Sequence, residues 1–401
     1  EENQSLENSQ PTFQSGLLTT VLFGGKSATV PTGEADTWEL LTTGQVPLQA
    51  TGRVLMRTAS STAPLPLSGV TVDILQNSNV IVSATTDNQG VYTLTLPLTN
   101  QQGNYTIRAN LSLPATLNHP PVVNYLYPAP GLPILNPHQD PIPLGAGLNS
   151  GLDIQFPKPV VLVHGIFGGV STWTKGEALL RMDPIAKSQH PSGPIAHRSY
   201  PAWSVSYGTF QYFYTHLKNA QNLDGVVKQL QSSWSQTLPA GTSFDFVCHS
   251  LGGLITRAYL DQHASQGSVD RVFTFGTPHL GAWYLFGQSV LAISPPAIQQ
   301  MDPYYLLTTF LQYNNYKSAR FVLVGCDKNY SALEPEGFGY FPGLASYPWD
   351  DGWVSTWSSV DLEFLLKLPT RAWHVTSDTH TAIHDNHSTL VSLLDWLENE
   401  R

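Results

Sequence analysis

Charge and cysteine are what this chain has least of. Only 12% of its 401 residues are charged, and 19 Lys plus Arg against 29 Asp plus Glu leave a formal net charge of −10. With no basic stripe anywhere, a nucleic-acid partner is not expected, and anionic membrane surfaces are disfavoured for the same reason. Two cysteines, Cys248 and Cys326, are too few for a disulfide framework or a multi-cysteine zinc site. Each closes an apolar run, FDFVC and FVLVGC, and reads as a buried thiol on a strand. Also lacking is any run of about eighteen apolar residues, since PVVLVHGIFGGV is short and broken by glycine. No integral membrane segment is therefore expected. The polar opening EENQSLENSQ shows no leader and suits a mature chain whose signal has been removed. A secreted, periplasmic or cell-surface location follows as the expectation.

What is present is 41% hydrophobic and 11% aromatic residues, enough for two or three domains rather than disorder. From Leu48 to Leu113 short runs alternate with period two between turn residues: TGRVLMRT, LSGVTVDIL, VIVSATT, GVYTLTL and GNYTIRANL. That is an all-β signature. Asp87, Asn88 and Gly90 read as a turn between two of them rather than as a calcium loop. This stretch resembles the carboxypeptidase-regulatory-like, or transthyretin-like, modules of secreted bacterial proteins. The resemblance implies a small immunoglobulin-like sandwich with no chemistry of its own. Residues 1–115 are read as an N-terminal segment plus this module. Prolines then recur through 116–156, a linker or wrapping arm.

After Pro159 apolar strands alternate with helical patterns, which signals an α/β fold with a mostly parallel sheet. PVVLVHG, WSVSY, FDFVCHS, RVFTFGT and ARFVLVGC read as strands, with helices in LDGVVKQLQSSWSQ, GGLITRAYLDQHA and TLVSLLDWLENE. Ser250, in Cys248-His249-Ser250-Leu251-Gly252, stands between a strand and a helix. A nucleophilic serine belongs there, because a tight strand-to-helix turn lifts its hydroxyl clear of the sheet near the positive end of the helix dipole. Cys248 occupies the first glycine position of the usual G-x-S-x-G pattern. Earlier in the chain, His164-Gly165-Ile166-Phe167-Gly168-Gly169 follows the first of these strands. Its glycines fit a loop whose backbone N–H faces a developing oxyanion. Ile166 is the expected donor with Phe167 the competitor, and Leu251 is the second donor. No nucleotide-binding glycine pattern is present.

Together HGIFGG, CHSLGG and FGTPHLG resemble the α/β-hydrolase superfamily over residues 157–401, and within it the secreted bacterial lipases and the GPI-inositol deacylase-like group. The resemblance implies a carboxylate in a D-G-x-V context, which Asp350-Asp351-Gly352-Trp353-Val354 fits through Asp351, with Asp350 the alternative. It also implies a late histidine shortly before the C-terminal helix. His374, His380, His384 and His387 lie in that window. His387 is the expected base and His384 the alternative, while the others, with His249 and His279, read as surface or supporting residues. Asn386-His387-Ser388 is a glycosylation sequon, and a glycan beside a catalytic base would block it.

The apolar, aromatic stretch 281–317 reads as a lid over the serine or as a packed helical subdomain. A second aromatic stretch, YPAWSVSYGTFQYFYTHL, is placed at the same mouth. The expected activity is hydrolysis of a carboxylic ester: Ser250 attacks, His387 carries the proton, Asp351 orients it, and Ile166 with Leu251 hold the oxyanion. A lipase is the first reading, and a short-chain esterase, polyester hydrolase or acyltransferase shares its machinery. The reading from another class is a surface-binding protein with a retired hydrolase domain. No cofactor is implied, and neither zinc nor a structural calcium has an identifiable site. The expected partner is an acyl ester or lipid, with transient contact at a lipid interface.

Overall fold

Strands of Val, Phe and Leu without alternation must be covered on both faces, which is the situation inside a parallel sheet. In the computed structural model this is how they lie. The structure describes residues 48–58, 63–76, 79–96, 105–111, 143–144, 148–180, 200–208, 210–235, 238–282, 294–310, 315–326, 354, 356–360 and 369–399.

The N-terminal runs form β1 (Leu48–Met56), β2 (Leu65–Pro66), β3 (Thr71–Gln76), β4 (Asn79–Thr85), β5 (Val91–Leu96) and β6 (Tyr105–Asn110). They make two sheets whose hairpin-type pairs are antiparallel, one of order β2-β1-β5 and one of order β4-β3-β6. The proline-rich segment then adds β7 (Pro143–Leu144) beside β6, and β8 (Leu148–Asn149) and β9 (Ile154–Phe156) in parallel beside β1. So the end of this segment is ordered by main-chain pairing. Arg53 and Asp153, 2.7 Å apart, fix its alignment, though so exposed a pair adds little stability.

Six parallel strands follow: β10 (Val160–Val163), β11 (Ala202–Val205), β12 (Phe244–His249), β13 (Val269–Phe275), β14 (Arg320–Cys326) and β15 (Thr370–Thr376). Their spatial order is β11-β10-β12-β13-β14-β15. β15, at the edge, is a strand that the sequence pattern had not singled out. Helices cover both faces. On one, α1 (Thr174–Leu180) and the helix that ends the described chain pack Leu179, Leu390, Leu393 and Leu394 against Leu162, Val247 and Phe273. On the other, α2 (His216–Trp234) and α3 (Leu251–Gln262) bring Leu223, Val227, Leu254 and Ile255 onto Val161, Val163 and Phe246. That second cluster continues into Leu48, Val54 and Ile107 of the N-terminal sheets. The result is a three-layer α/β arrangement with the parallel sheet in the middle.

The described residues of 281–317 hold two short helices, α4 (Pro296–Gln299) and α5 (Pro303–Thr308). Asp302 caps α5 by accepting from the Tyr304 N–H at 2.9 Å, with Pro303 at its first position. Ala297, Met301, Leu306 and Phe310 are buried in the main cluster, so this part packs as a subdomain rather than standing clear. Two further helices complete the chain, α6 (Thr356–Val360) and α7 (His387–Asn399).

At the N-terminal ends of the strands lies a buried charge network that the sequence did not announce. Lys158 bridges Asp245, at 3.0 Å, and Asp270; Arg271 holds Asp245 at 2.6 Å, and Arg320 holds Asp270 at 2.8 Å. Burial would raise the Asp245 carboxyl, but Arg271 and Lys158 outweigh it and hold it below the usual carboxylate range. This network sits at the end of the sheet away from Ser250. Its role is structural.

Candidate active site

Chain order and spatial order disagree at one place, and the site is there. From β10 the chain goes to β11 on one side and then crosses back to β12 on the other. Loops leaving β10 and β12 therefore diverge, opening a crevice at the carboxyl ends of the strands. The Gly165–Gly169 loop leaves β10, and Ser250 follows β12.

Ser250 has φ 50° and ψ −125°, a left-handed conformation that costs a non-glycine residue energy and is held by its surroundings. Its N–H donates to the Phe275 carbonyl at 2.8 Å, and its carbonyl accepts from the Gly253 N–H at 3.0 Å. The neighbouring glycines permit this by having no side chain. A Cβ on Gly252 would lie 2.5 Å from the His164 carbonyl oxygen, and one on Gly165 would lie 2.8 Å from Ser250 Cβ. Cys248 fits where the usual glycine stands: it is wholly buried, its Sγ 3.1 Å from Thr256 Oγ1, and burial pushes its thiol up to about 12.

The base expected at His387 is not the histidine beside the serine. His380 Nε2 lies 2.8 Å from Ser250 Oγ, and both residues are buried, at 4% and 3% exposure. His387 is the first residue of α7, seven positions further on. His384 does not reach Ser250 either; it packs edge-on against His249 and Trp173, at 4.6 and 5.9 Å between ring centres. The reason is the edge strand. β15 ends at Thr376, so the loop at the carboxyl end of the sheet carries His380, while His387 has already entered the returning helix. A search for a strand in TRAWHVT would have exposed this signal, since the histidine needed is the one just past that strand.

The loop bearing His380 is fastened in two ways. His249 Nε2 donates to the His380 carbonyl at 2.8 Å, and burial together with the neighbouring histidines pushes the His249 imidazole far below its usual range, so it stays neutral. Asp378, itself buried, accepts from Asn386 Nδ2 and Thr389 Oγ1. Asn386 also caps α7 by accepting from the Ser388 N–H at 2.9 Å. The sequon asparagine is thus committed to two structural contacts.

Ile166 and Phe167 form the centre of a turn closed by the Gly168 N–H on the Gly165 carbonyl at 3.2 Å, and Phe167 takes φ 59°. Leu251 is the first residue of α3, where backbone N–H groups have no partner within the helix. Among the described residues neither the Ile166 nor the Leu251 N–H has an acceptor. The loop is braced from behind: Tyr207 Oη donates to the His164 carbonyl at 3.1 Å, its ring stacks on the His164 imidazole at 4.4 Å, and Gln211 Nε2 donates to the Gly168 carbonyl. Sequence reasoning had placed the aromatic stretch that holds Tyr207 and Gln211 at this mouth, without the bracing role of either residue. Asp351 and its alternative Asp350 lie outside the described residues, as do Trp353 and Gly352.

Among the described residues no group of three or more His, Cys, Asp or Glu is placed to hold a metal ion, and no helix is long and apolar enough to cross a membrane.

The family model described as palmitoyl protein thioesterase matches residues 159–322. That span contains Ile166, Ser250 and Leu251 and stops short of His380. Among solved structures the chain is similar to the mature form of the Bacillus licheniformis lipase BlEst2, with 18% identity, a TM-score of 0.43, and 60% of this chain and 91% of that one covered. It is also similar to the lin2722 product of Listeria innocua, with 16% identity, a TM-score of 0.39 and coverage of 60% and 94%. A metagenomic carboxyl esterase, MGS0156, gives 14% identity, a TM-score of 0.42 and coverage of 73% and 87%. No curated protein matches the sequence.

Proposed function

We propose that this protein is a serine hydrolase of acyl esters or thioesters. The observation that carries the reading is the 2.8 Å contact between His380 Nε2 and Ser250 Oγ at the crevice between β10 and β12. In this reading His380 takes the proton as Ser250 Oγ attacks the acyl carbonyl, then returns it to the leaving alcohol or thiol. The N–H groups of Ile166 and Leu251, without an acceptor among the described residues, receive the oxyanion. Asp351 is proposed as the carboxylate that holds the His380 tautomer. Water then releases the acyl group from Ser250, and no cofactor takes part.

A long acyl chain is the proposed substrate feature. The thioesterase model and the aromatic surroundings of the oxyanion loop both favour it, and the lipase reading keeps its place for oxygen esters. The N-terminal sheets fit a small sandwich module, and an exported location remains part of the proposal. A retired hydrolase domain is the poorer reading, because a serine in strained geometry with an imidazole on its hydroxyl is an expensive arrangement to keep without chemistry. The test is turnover of p-nitrophenyl acetate, p-nitrophenyl palmitate and palmitoyl-CoA by the wild type, Ser250→Ala and His380→Ala. Ser250-dependent turnover is expected, greatest on the palmitoyl substrates. An unchanged rate in Ser250→Ala would end the proposal.

A further inference from the structure

Folding normally buries phenylalanine and leaves glutamine in water, because apolar area is what water expels. The turn 210–214 does the reverse. Gln211 is fully buried, its Nε2 donating to the Gly168 carbonyl and its main-chain carbonyl accepting from Asn219 Nδ2 at 2.8 Å, while Phe210 and Phe213 on either side are 58% and 57% exposed. The exposed rings are not scattered. Tyr212 packs on Phe213 at 4.4 Å and on Phe167 at 5.2 Å, and Phe210 lies 6.3 Å from Tyr212, so the four rings form one cluster. Phe167, 63% exposed, stands at positive φ in the turn that carries Ile166. A contiguous, anchored aromatic cluster of this kind marks a contact surface.

We propose that this cluster is where the protein docks on a zwitterionic lipid surface, which sets the loop of Ile166 and the mouth of the Ser250 site against the lipid. The inference rests on the hydrolase reading for its purpose, and on the surface for its substance. Charge chooses the lipid. Residues 160–174 and 205–217, the two segments that build the surface, contain no Asp, Glu, Lys or Arg, in a chain of net charge −10. These two segments therefore offer anionic headgroups no electrostatic attraction, and the free energy they supply must come from ring burial. Phenylalanine rings reach the acyl boundary, and the tyrosine hydroxyls of Tyr212 and Tyr214 suit the headgroup layer. The same patch buried against a second copy of the chain is the competing occupant.

Co-sedimentation with vesicles tests it, using Ser250→Ala protein so that binding is read without turnover. Ser250→Ala is expected to sediment with phosphatidylcholine vesicles, with no gain on adding phosphatidylglycerol and little change between about 0.05 and 0.5 M salt. Adding Phe210→Ser and Phe213→Ser is expected to weaken binding by roughly tenfold or more. In the same background the two substitutions are expected to leave the far-UV circular dichroism and the urea midpoint at the Ser250→Ala values, which shows that the fold survives. Absent binding, binding undiminished by the two serines, or binding that requires anionic lipid would overturn the proposal. So would a dimer on gel filtration that the serines dissolve, which would give the patch to a second copy. Loss of the hydrolase reading alone would show in the ester assay and leave the vesicle result standing.

Discussion

At the level of single residues, His380 and His387 are separable by experiment although both lie in the window that the sequence allowed. His380→Ala is expected to lower kcat by about 10³–10⁶-fold, the range found when the base of such a set is removed. His387→Ala, at the start of α7, is expected to stay within about threefold of wild type, because its ring is not the one on Ser250 Oγ. Single-turnover rates on p-nitrophenyl acetate decide it, and a large loss in His387→Ala with little in His380→Ala would reverse the assignment. Cys248 offers a second residue-level test. With its thiol pushed up to about 12 and no exposed surface, it is expected to ignore Ellman's reagent at pH 8 in the native protein and to react on unfolding. Rapid native labelling of Cys248 would mean that the elbow is open to solvent.

Elements explain how much of this was readable. The places of Ser250 and Leu251 at a strand-to-helix turn, and of Ile166 in the loop after a strand, were legible because such junctions leave a dense local signature: an apolar run, small residues, then helical periodicity. His380 was not, since its position depends on where β15 ends, and TRAWHVT mixes polar and apolar residues as an edge strand does. Lys158, Asp245 and Arg271 meet only when three strands come into register, so no local pattern could reveal them. The same is true of Asp378, whose partners Asn386 and Thr389 belong to the first turn of α7 and its cap. Asp378 ties the His380 loop to that helix. Asp378→Ala leaves buried donors unsatisfied, which costs about 1–3 kcal/mol of stability. It is also expected to lower kcat by about tenfold with KM nearly unchanged, because His380 loses its fixed position while the acyl mouth is untouched. Urea unfolding and steady-state kinetics measure both, and a purely structural Asp378 would show the first effect without the second.

Over the whole molecule, buried imidazoles set how stability responds to acid. Burial holds His216 down to about 3 and pushes His249 and His279 far below their ordinary range, so all three are neutral in the folded state. In the unfolded chain each would titrate near 6.5. A depressed folded value means that the stabilisation is complete above the unfolded value and is lost as the pH falls toward the folded one, since the unfolded state takes up the protons. Each such histidine adds a slope of up to about 1.4 kcal/mol per pH unit below about 6.5. Asp245 acts in the same direction, but only once the pH nears the carboxylate range, where protonation dissolves its pairing with Arg271 and Lys158. Between pH 6.5 and 5 the histidines therefore act almost alone. Urea midpoints are expected to fall steadily across that window, and His216→Gln, which removes one titrating group, is expected to make the fall shallower whatever its effect at pH 7. A slope unchanged by His216→Gln, or stability that rises as the pH drops, would show that this imidazole is charged in the folded protein and not neutral among Ala297, Arg257 and Phe310.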